Sequence, residues 1–355
     1  MSESLKTVTL DADLDPRLYS IDEHVDLALH ILEKSGATAF LGVNDKAKNL
    51  CQTVAAMYLS TPYHNFKHAF NVMHTTYMLI QSLKESPFST LETTGLLLAA
   101  LSHDIQHNGR TSGFHKSVNS PLAQEFSDHK ASVLEAMHAS VALQTMMNEC
   151  IFDNLDETNS NTLKTLIEEL ILATDMAIHD EVIQEYGNKS DTLTQAKMIL
   201  HCADISNPTK RPDIAKWWSH AVSREFRFQV DEEAKLGIPV STFMKVDLFS
   251  AEEAKMHLGF IDSFVAPSWR LLSTSNRFDD YVTVHCMSNI ARSRRMWLNL
   301  TESQSHPEDL IRNPDLKRKR FEDIPCVNGS RKNKRRYFKV NRISQLDNPA
   351  DCHVI

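Results

Sequence analysis

Apolar residues recur at helical spacing through the body of the chain. Ser20-Ile21-Asp22-Glu23 is a capping box, followed by Val25, Leu29 and Leu32, with Gly36 as a stop. Thr61-Pro62 places a cap and a first-turn proline ahead of a long helix over about 63–83. The apolar stripe of that helix is Phe66, Phe70, Met73, Tyr77 and Ile80. Ser89 with Glu92 is a second capping box, opening a helix that carries the run Leu96 to Leu101. Leu163, Leu166, Ile167, Leu170 and Ile171 follow the i, i+3, i+4 pattern, and Leu193, Ala196 and Leu200 mark another amphipathic helix. Strand-like alternation with hairpin turns is nearly absent. The pattern predicts an all-α fold: a single multi-helix domain over 16–303, an N-terminal extension over 1–15 and a C-terminal tail over 304–355.

Composition narrows the class. Apolar residues make up 42% and charged residues 24%, which excludes a wholly disordered chain, and only 9 glycines favour helices over turn-rich β structure. The longest clean apolar run, Leu96 to Leu101, is far short of the roughly 20 residues that cross a bilayer. Met1-Ser2-Glu3-Ser4 has neither a basic nor an apolar leader region, so no secretory signal is expected. The six cysteines form no C-x-x-C pair and read as reduced, intracellular thiols, so a cytoplasmic location is the expectation, with the tail leaving membrane or nucleus open. The net charge of −8 is uneven. Residues 306–355 hold 12 Lys/Arg against 7 Asp/Glu, or +5, leaving 26 against 39, or −13, for residues 1–305. An acidic body is not a nucleic-acid binder, and the basic tail is a separate device.

The chemistry sits in a few histidines and aspartates. His64 and His68, four apart, share one face of the predicted helix, roughly opposite its apolar stripe. Two such histidines alone are more often ordinary satisfied imidazoles. His103-Asp104 follows the apolar run, where apolar flanks penalise an unpaired charge. Asp204 extends the stripe 193, 196, 200, and Asp175 extends the stripe 163, 167, 171, so both face inward. Each alone reads as a cap; together with inward-facing histidines they tip towards a metal site. A mixed N/O set suits Zn²⁺ or another borderline divalent ion. If one carboxylate bridges, a second, harder ion such as Mg²⁺ or Mn²⁺ sits alongside. Two such ions activate a water for in-line attack on a phosphoryl group, and a spare histidine near neutrality protonates the leaving oxygen.

The ordered motifs resemble the catalytic domain of the class I cyclic-nucleotide phosphodiesterases, HD-type metal hydrolases. They are Tyr63-His64-Asn65-x-x-His68, His103-Asp104-x-x-His107-x-Gly109, Leu172-Ala173-Thr174-Asp175-Met176, His201-Cys202-Ala203-Asp204-Ile205-Ser206-Asn207-Pro208 and Gly259-Phe260-Ile261-Asp262. The resemblance implies hydrolysis of cAMP or cGMP to the 5′-monophosphate in a metal-centred pocket. It implies His68, His103, Asp104 and Asp204 as ligands of the tightly held ion, Zn²⁺, with Asp104 bridging to Mg²⁺ or Mn²⁺. It implies His64 as the general acid, and His107, Glu135 and His138 as holders of the metals' waters, with Asp175 beside them. For the nucleotide it implies Tyr63, Asn207, Val222, Phe243, His257 and Phe260, with Phe260 as one jaw of a clamp on the purine. Core packing is the plainer reading of Val222, Phe243 and Phe260.

Departures from that pattern leave rivals open. His257 stands where the resemblance calls for Gln, and Leu134-Glu135-Ala136-Met137-His138 lacks an Asn and a His. Gln106, Asn108, Ser112 and Pro121 replace the usual Asp, Pro, Asn and Glu. One rival is an HD hydrolase of another phosphate ester; another is a non-catalytic nucleotide-binding or scaffold protein. In the tail, Lys317-Arg318-Lys319-Arg320 and Arg331-Lys332-Asn333-Lys334-Arg335-Arg336 lie ten residues apart. They fit a bipartite nuclear signal read by an import receptor, or a polybasic patch for anionic membrane. Cys352-His353-Val354-Ile355 loosely meets the C-a-a-X frame for prenylation at Cys352, with His departing from it.

Overall fold

The structure is a computed structural model that describes residues 10–303 except 13, 128 and 130. The basic clusters and Cys352 of the tail lie outside the described residues. The α-helices are α1 (Ile21–Lys34), α2 (Ala37–Leu41), α3 (Asn44–Met57), α4 (Phe66–Gln81), α5 (Thr90–Ser102), α6 (Ser112–Ser117), α7 (Pro121–Glu125), α8 (Val133–Asn148), α9 (Glu157–Leu172), α10 (His179–Asn188), α11 (Thr192–Asp204), α12 (Pro212–Leu236), α13 (Ala251–Phe260), α14 (Ala266–Thr274) and α15 (Met287–Ser303). A π-helical turn, Ile261–Val265, joins α13 to α14. Among the described residues there is no strand, only an isolated bridge between Leu83 and Phe278, and no helix is long and apolar enough to cross a membrane.

Local chemistry sets the boundaries. Both expected capping boxes form. The Ser20 hydroxyl accepts the Glu23 N–H at 3.3 Å while Glu23 accepts the Ser20 N–H at 2.7 Å. Ser89 and Glu92 repeat the arrangement at 3.2 and 2.8 Å. The helix expected from position 63 begins later. The Asn65 side chain accepts the N–H groups of Lys67 at 2.9 Å and His68 at 3.4 Å, so α4 starts at Phe66. Tyr63 and His64 therefore lie in the turn before the helix, and His64 shares no helix face with His68. At the N-terminus Leu14 and Asp15 are buried, so the packed body reaches upstream of residue 16.

The middle of the domain is a stack of α4, α5, α9 and α11. Helix α4 is buried all round, with His68, Asn71, His74 and Thr75 as enclosed as Phe70 and Met73. Helix α5 is sealed from Thr94 to Ser102. It approaches α9 closely at Gly95, where a Cβ would meet Leu166 Cδ2 at 2.7 Å. This enclosure delivers the ends of three buried elements, His68 near the start of α4, His103 after α5 and Asp204 at the end of α11, to one place.

Candidate metal centre and pocket

His103 caps the sealed helix α5. Its Nδ1–H donates to the Ala100 carbonyl at 2.9 Å, which leaves Nε2 as a lone pair facing inward. That Nε2 lies 3.1 Å from Asp104 Oδ2, 3.2 Å from Asp204 Oδ1 and 3.3 Å from His68 Nε2. His68 Nε2 is 3.0 Å from Asp204 Oδ1 and 3.4 Å from Asp104 Oδ2. The His68 ring is set by packing on Tyr63, with centroids 4.5 Å apart, and on Trp218 at 6.0 Å. One donor atom from each of His68, His103, Asp104 and Asp204 falls within 4.8 Å of the others. Two buried imidazole nitrogens this close, with two carboxylates that open onto a cavity, make a donor set suited to a shared cation. A two-nitrogen, two-oxygen set from buried elements fits a borderline divalent ion. Burial would raise the carboxyl pKa of Asp104 and Asp204. The His103 imidazole, with His64 acting on Asp104 and His68 on Asp204, outweighs it and holds both well below the usual carboxylate range. Reciprocally, the two carboxylates overcome burial and push the His103 pKa well up.

His64 sits beside this quartet on a different support. Glu225 of α12, 2% exposed, accepts the backbone N–H of Tyr63 at 3.0 Å and of His64 at 3.1 Å through Oε2. Its Oε1 bonds His64 Nδ1. Burial opposes the charged ring, but Glu225, with Asp104 behind it, pushes the His64 pKa up to about 9. Burial would raise Glu225 too; the His64 imidazole wins and lowers it to about 2. The sequence reading did not include Glu225. The signal was present: Ile214, Trp218 and Ala221 form a buried stripe that Glu225 extends by one more turn.

The loop after His103 completes the wall. Gln106 takes φ 63° and Gly109 φ 75°. A Cβ on Gly109 would lie 3.1 Å from Glu225 Cγ, so the backbone passes directly under the Glu225 side chain. Gly109 N–H donates to His107 Nδ1 at 2.9 Å, and the His107 ring stacks on His64 with centroids 3.8 Å apart. Burial and the neighbouring His64 keep His107 neutral, its pKa well below the ordinary value. His64, His107 and Glu225 also gather in space, but stacked rings direct their in-plane lone pairs side by side, not towards one ion. His138 donates Nδ1–H to the Ile105 carbonyl at 2.7 Å and points Nε2 at Asp104 Oδ1, 3.6 Å away. Burial pushes its pKa down to about 4. Two acceptors facing each other suit a bridging donor such as water. Glu135 of α8 stands 3.5 Å from the Ser112 hydroxyl; burial and the Asp175 carboxylate push its pKa up to about 7. Asp175 accepts the Ala177 N–H at 2.8 Å, capping a single 3₁₀ turn.

A cavity of about 400 Å³ brings these groups together: His64, Asp104, His107, Glu135, Asp175, Asp204 and Glu225 line it, with Arg110 and Lys116 towards one side. The residues expected to hold the nucleotide base do not line this cavity. Asn207 Nδ2 donates to the Tyr63 hydroxyl at 2.5 Å, and Val222 packs beside Tyr63 and Trp218. Phe260 packs against Phe264, with ring centroids 5.6 Å apart. Phe243 is 64% exposed and touches the ring of Phe226, itself a lining residue. His257 is buried, 2.9 Å from the Ser223 hydroxyl. None of these five lines the cavity onto which Asp104 and Asp204 open.

An all-helical domain closed around a His/His/Asp/Asp quartet, with a carboxylate-held histidine in the same pocket, belongs to the class of metal-binding phosphohydrolase folds. Comparison with known proteins narrows this. The sequence model of the 3′5′-cyclic nucleotide phosphodiesterase family matches residues 63–283. Isoform F of the 3′,5′-cyclic-AMP phosphodiesterase of Drosophila melanogaster is 29% identical over 295 residues, which cover 77% of this chain and 44% of that protein. The dual specificity calcium/calmodulin-dependent 3′,5′-cyclic nucleotide phosphodiesterase 1B of Mus musculus is 34% identical over 221 residues, 60% of this chain and 41% of that protein. The chain thus spans less than half the length of these relatives. The phosphodiesterase domain of the RhoPDE fusion protein from the choanoflagellate Salpingoeca rosetta superimposes with a TM-score of 0.78 at 30% identity, over 85% of this chain and 99% of that one. The chain belongs to the 3′5′-cyclic nucleotide phosphodiesterase family.

Proposed function

We propose that the protein hydrolyses cAMP, cGMP or both to the 5′-monophosphate. The observation that carries this reading is the placement of the Glu225-held His64 in the same cavity as Asp104 and Asp204, the two carboxylates of the His68/His103/Asp104/Asp204 quartet. The quartet would hold a Zn²⁺ ion, with Asp104 shared to a Mg²⁺ or Mn²⁺ ion. When bound, these ions supply Lewis-acid charge that acidifies a water and neutralises the phosphoryl oxygens. In the reaction a water oxygen bonds to phosphorus, the P–O3′ bond breaks, and the water's released proton passes to solvent. His64 gives its Nε2 proton to the departing 3′ oxygen and is reprotonated from solvent. Glu225 keeps the opposite ring nitrogen bonded, so the ring is both oriented and charged. His107 covers one face of His64 and restricts its rotation. His138, Glu135 and Asp175 would hold waters of the bound ions. Tyr63, Asn207, Val222, Phe243, His257 and Phe260 do not line this cavity and are proposed to contact the ribose and base only where the nucleotide extends beyond it.

The test is product analysis after incubating purified protein with cAMP or cGMP and Mg²⁺. The 5′-monophosphate alone is expected; a 3′-monophosphate product, or no turnover above a metal-free control, would overturn the reading.

A further inference from the structure

We propose that Glu253 is a positioning residue for this site: it anchors helix α12 and so holds Glu225 against His64. The proposal rests on the phosphodiesterase reading given above.

Helix α12 carries sealed polar side chains on more than one side. Ser223, Glu225, Gln229 and Glu233 are each no more than 2% exposed. Each bonds another segment. Glu225 holds Tyr63 and His64, Gln229 accepts the Thr111 N–H at 2.9 Å, and Glu233 accepts the Ser241 N–H at 2.7 Å. Towards α13, Ser223 meets His257 at 2.9 Å, and His220 Nδ1–H donates to Glu253 Oε1 at 2.9 Å. Apolar contacts tolerate a small slide of one helix over another. Hydrogen bonds, which weaken steeply off-axis, fix a register.

Glu253 is the hub on the α13 side. Its carboxylate is fully buried and accepts the Phe249 N–H at 2.5 Å besides the His220 ring, with His257 Nε2 3.8 Å from the same oxygen. Phe249 is held at φ 65°, a left-handed conformation that this bond secures. The Trp297 ring closes the cluster, 4.7 Å from His257 and 5.8 Å from His220. Burial would raise the Glu253 carboxyl; the His220 and His257 imidazoles outweigh it and hold it well below the usual range, so the hub carries a buried charge. Neither Glu253 nor His257 lines the catalytic cavity. His220 and Glu225 are five residues apart on one continuous helix, about 7.5 Å along its axis. A helix that short in reach is stiff, so a shift at the hub arrives at Glu225.

The test uses the metal-loaded full chain and the isosteric, uncharged Glu253→Gln, with Glu225→Gln and the double variant. Glu253→Gln is expected to lower kcat at least fivefold, with KM and metal content within twofold of the wild type. In the Glu225→Gln background it is expected to cost nothing further, because its effect runs through Glu225. A kcat loss of equal size in both backgrounds, or a loss of thermal stability with kcat intact, would overturn the proposal. His220→Leu should reproduce the loss and His220→Asn, which keeps a donor near the Nδ1 position, should restore it. The downfield proton resonance of the His64–Glu225 bond, assigned by its disappearance in Glu225→Gln, gives a readout independent of turnover. It should shift or broaden in Glu253→Gln, and an unchanged signal would refute the coupling. A wild type without turnover counts against the phosphodiesterase reading; an active wild type with an indifferent Glu253→Gln counts against this proposal alone.

Discussion

Replacing Glu225 with Gln keeps the size of the side chain and removes its charge. In the native chain the carboxylate, 2% exposed, serves three donors: the N–H of Tyr63 and of His64, and the His64 ring. Glutamine retains one acceptor oxygen for the backbone but presents an amide where the ring proton was accepted. Cations bound at the quartet would offset Asp104 and Asp204, which leaves Glu225 as the carboxylate holding the His64 proton. A hydrogen bond to a charged group contributes about 1.5–3 kcal/mol. Losing it corresponds to a fall of roughly 10- to 150-fold in kcat, since each 1.36 kcal/mol is about tenfold. The assay is initial-rate hydrolysis of cAMP and cGMP by wild type and variant, with bound metal measured on the same samples. The expected result is the kcat loss with KM nearly unchanged and metal retained. Wild-type kcat in Glu225→Gln would refute the assignment, and loss of metal would show that Glu225 supports the quartet instead.

Asp204→Ala removes a carboxylate that faces both imidazoles of the quartet, so elemental analysis should show the tight ion lost along with activity; full metal content would count against its role. Gly109→Ala forces a Cβ to 3.1 Å from Glu225 Cγ at φ 75°. It should cost about 1–2 kcal/mol of stability and lower kcat, and a variant as stable and active as wild type would contradict the close approach. Burial pushes the His24 pKa down to about 4, against 6.5 for the free side chain. The unfolded chain therefore takes the proton first. This contribution is fully present above pH 6.5 and is lost as pH falls from 6.5 to 4, up to about 3 kcal/mol. Denaturant unfolding at pH 7.5 and pH 5 should show a larger drop for wild type than for His24→Gln, and equal drops would exclude the mechanism.

Two members of the quartet were legible from apolar neighbours: Asp104 follows the apolar run of α5, and Asp204 extends an apolar stripe. Asp204 continues 193, 196, 200, and burial of that helical face places it where the pattern points. The capping boxes at Ser20 and Ser89 were legible because the interaction is local, four residues long. The start of α4 was misread because two caps compete within five residues. Thr61-Pro62 offers a first-turn proline, but the Asn65 carbonyl oxygen reaches two N–H donors and wins. Periodicity also suggested a one-sided α4. Its polar residues are enclosed because neighbours cover the helix from every side, which no pattern on α4 itself records. Glu225 extends a stripe in the same way as Asp204, yet its partner His64 lies 161 residues away, and only the fold joins them. His257, expected at the purine edge, meets Ser223 and lies close to Glu253 because an imidazole finds a carboxylate and a hydroxyl within reach on α12 and α13.

The central claim is that His64, charged and held by Glu225, works beside a metal quartet to open a cyclic phosphodiester. The most direct test compares kcat for cAMP and cGMP in wild type and His64→Ala, with metal content determined on the same preparations. The account predicts turnover by the wild type and a loss of about 10² or more in His64→Ala with the metals still bound. A metal-loaded, folded wild type that hydrolyses neither nucleotide, or a His64→Ala variant that turns over at the wild-type rate, would contradict it.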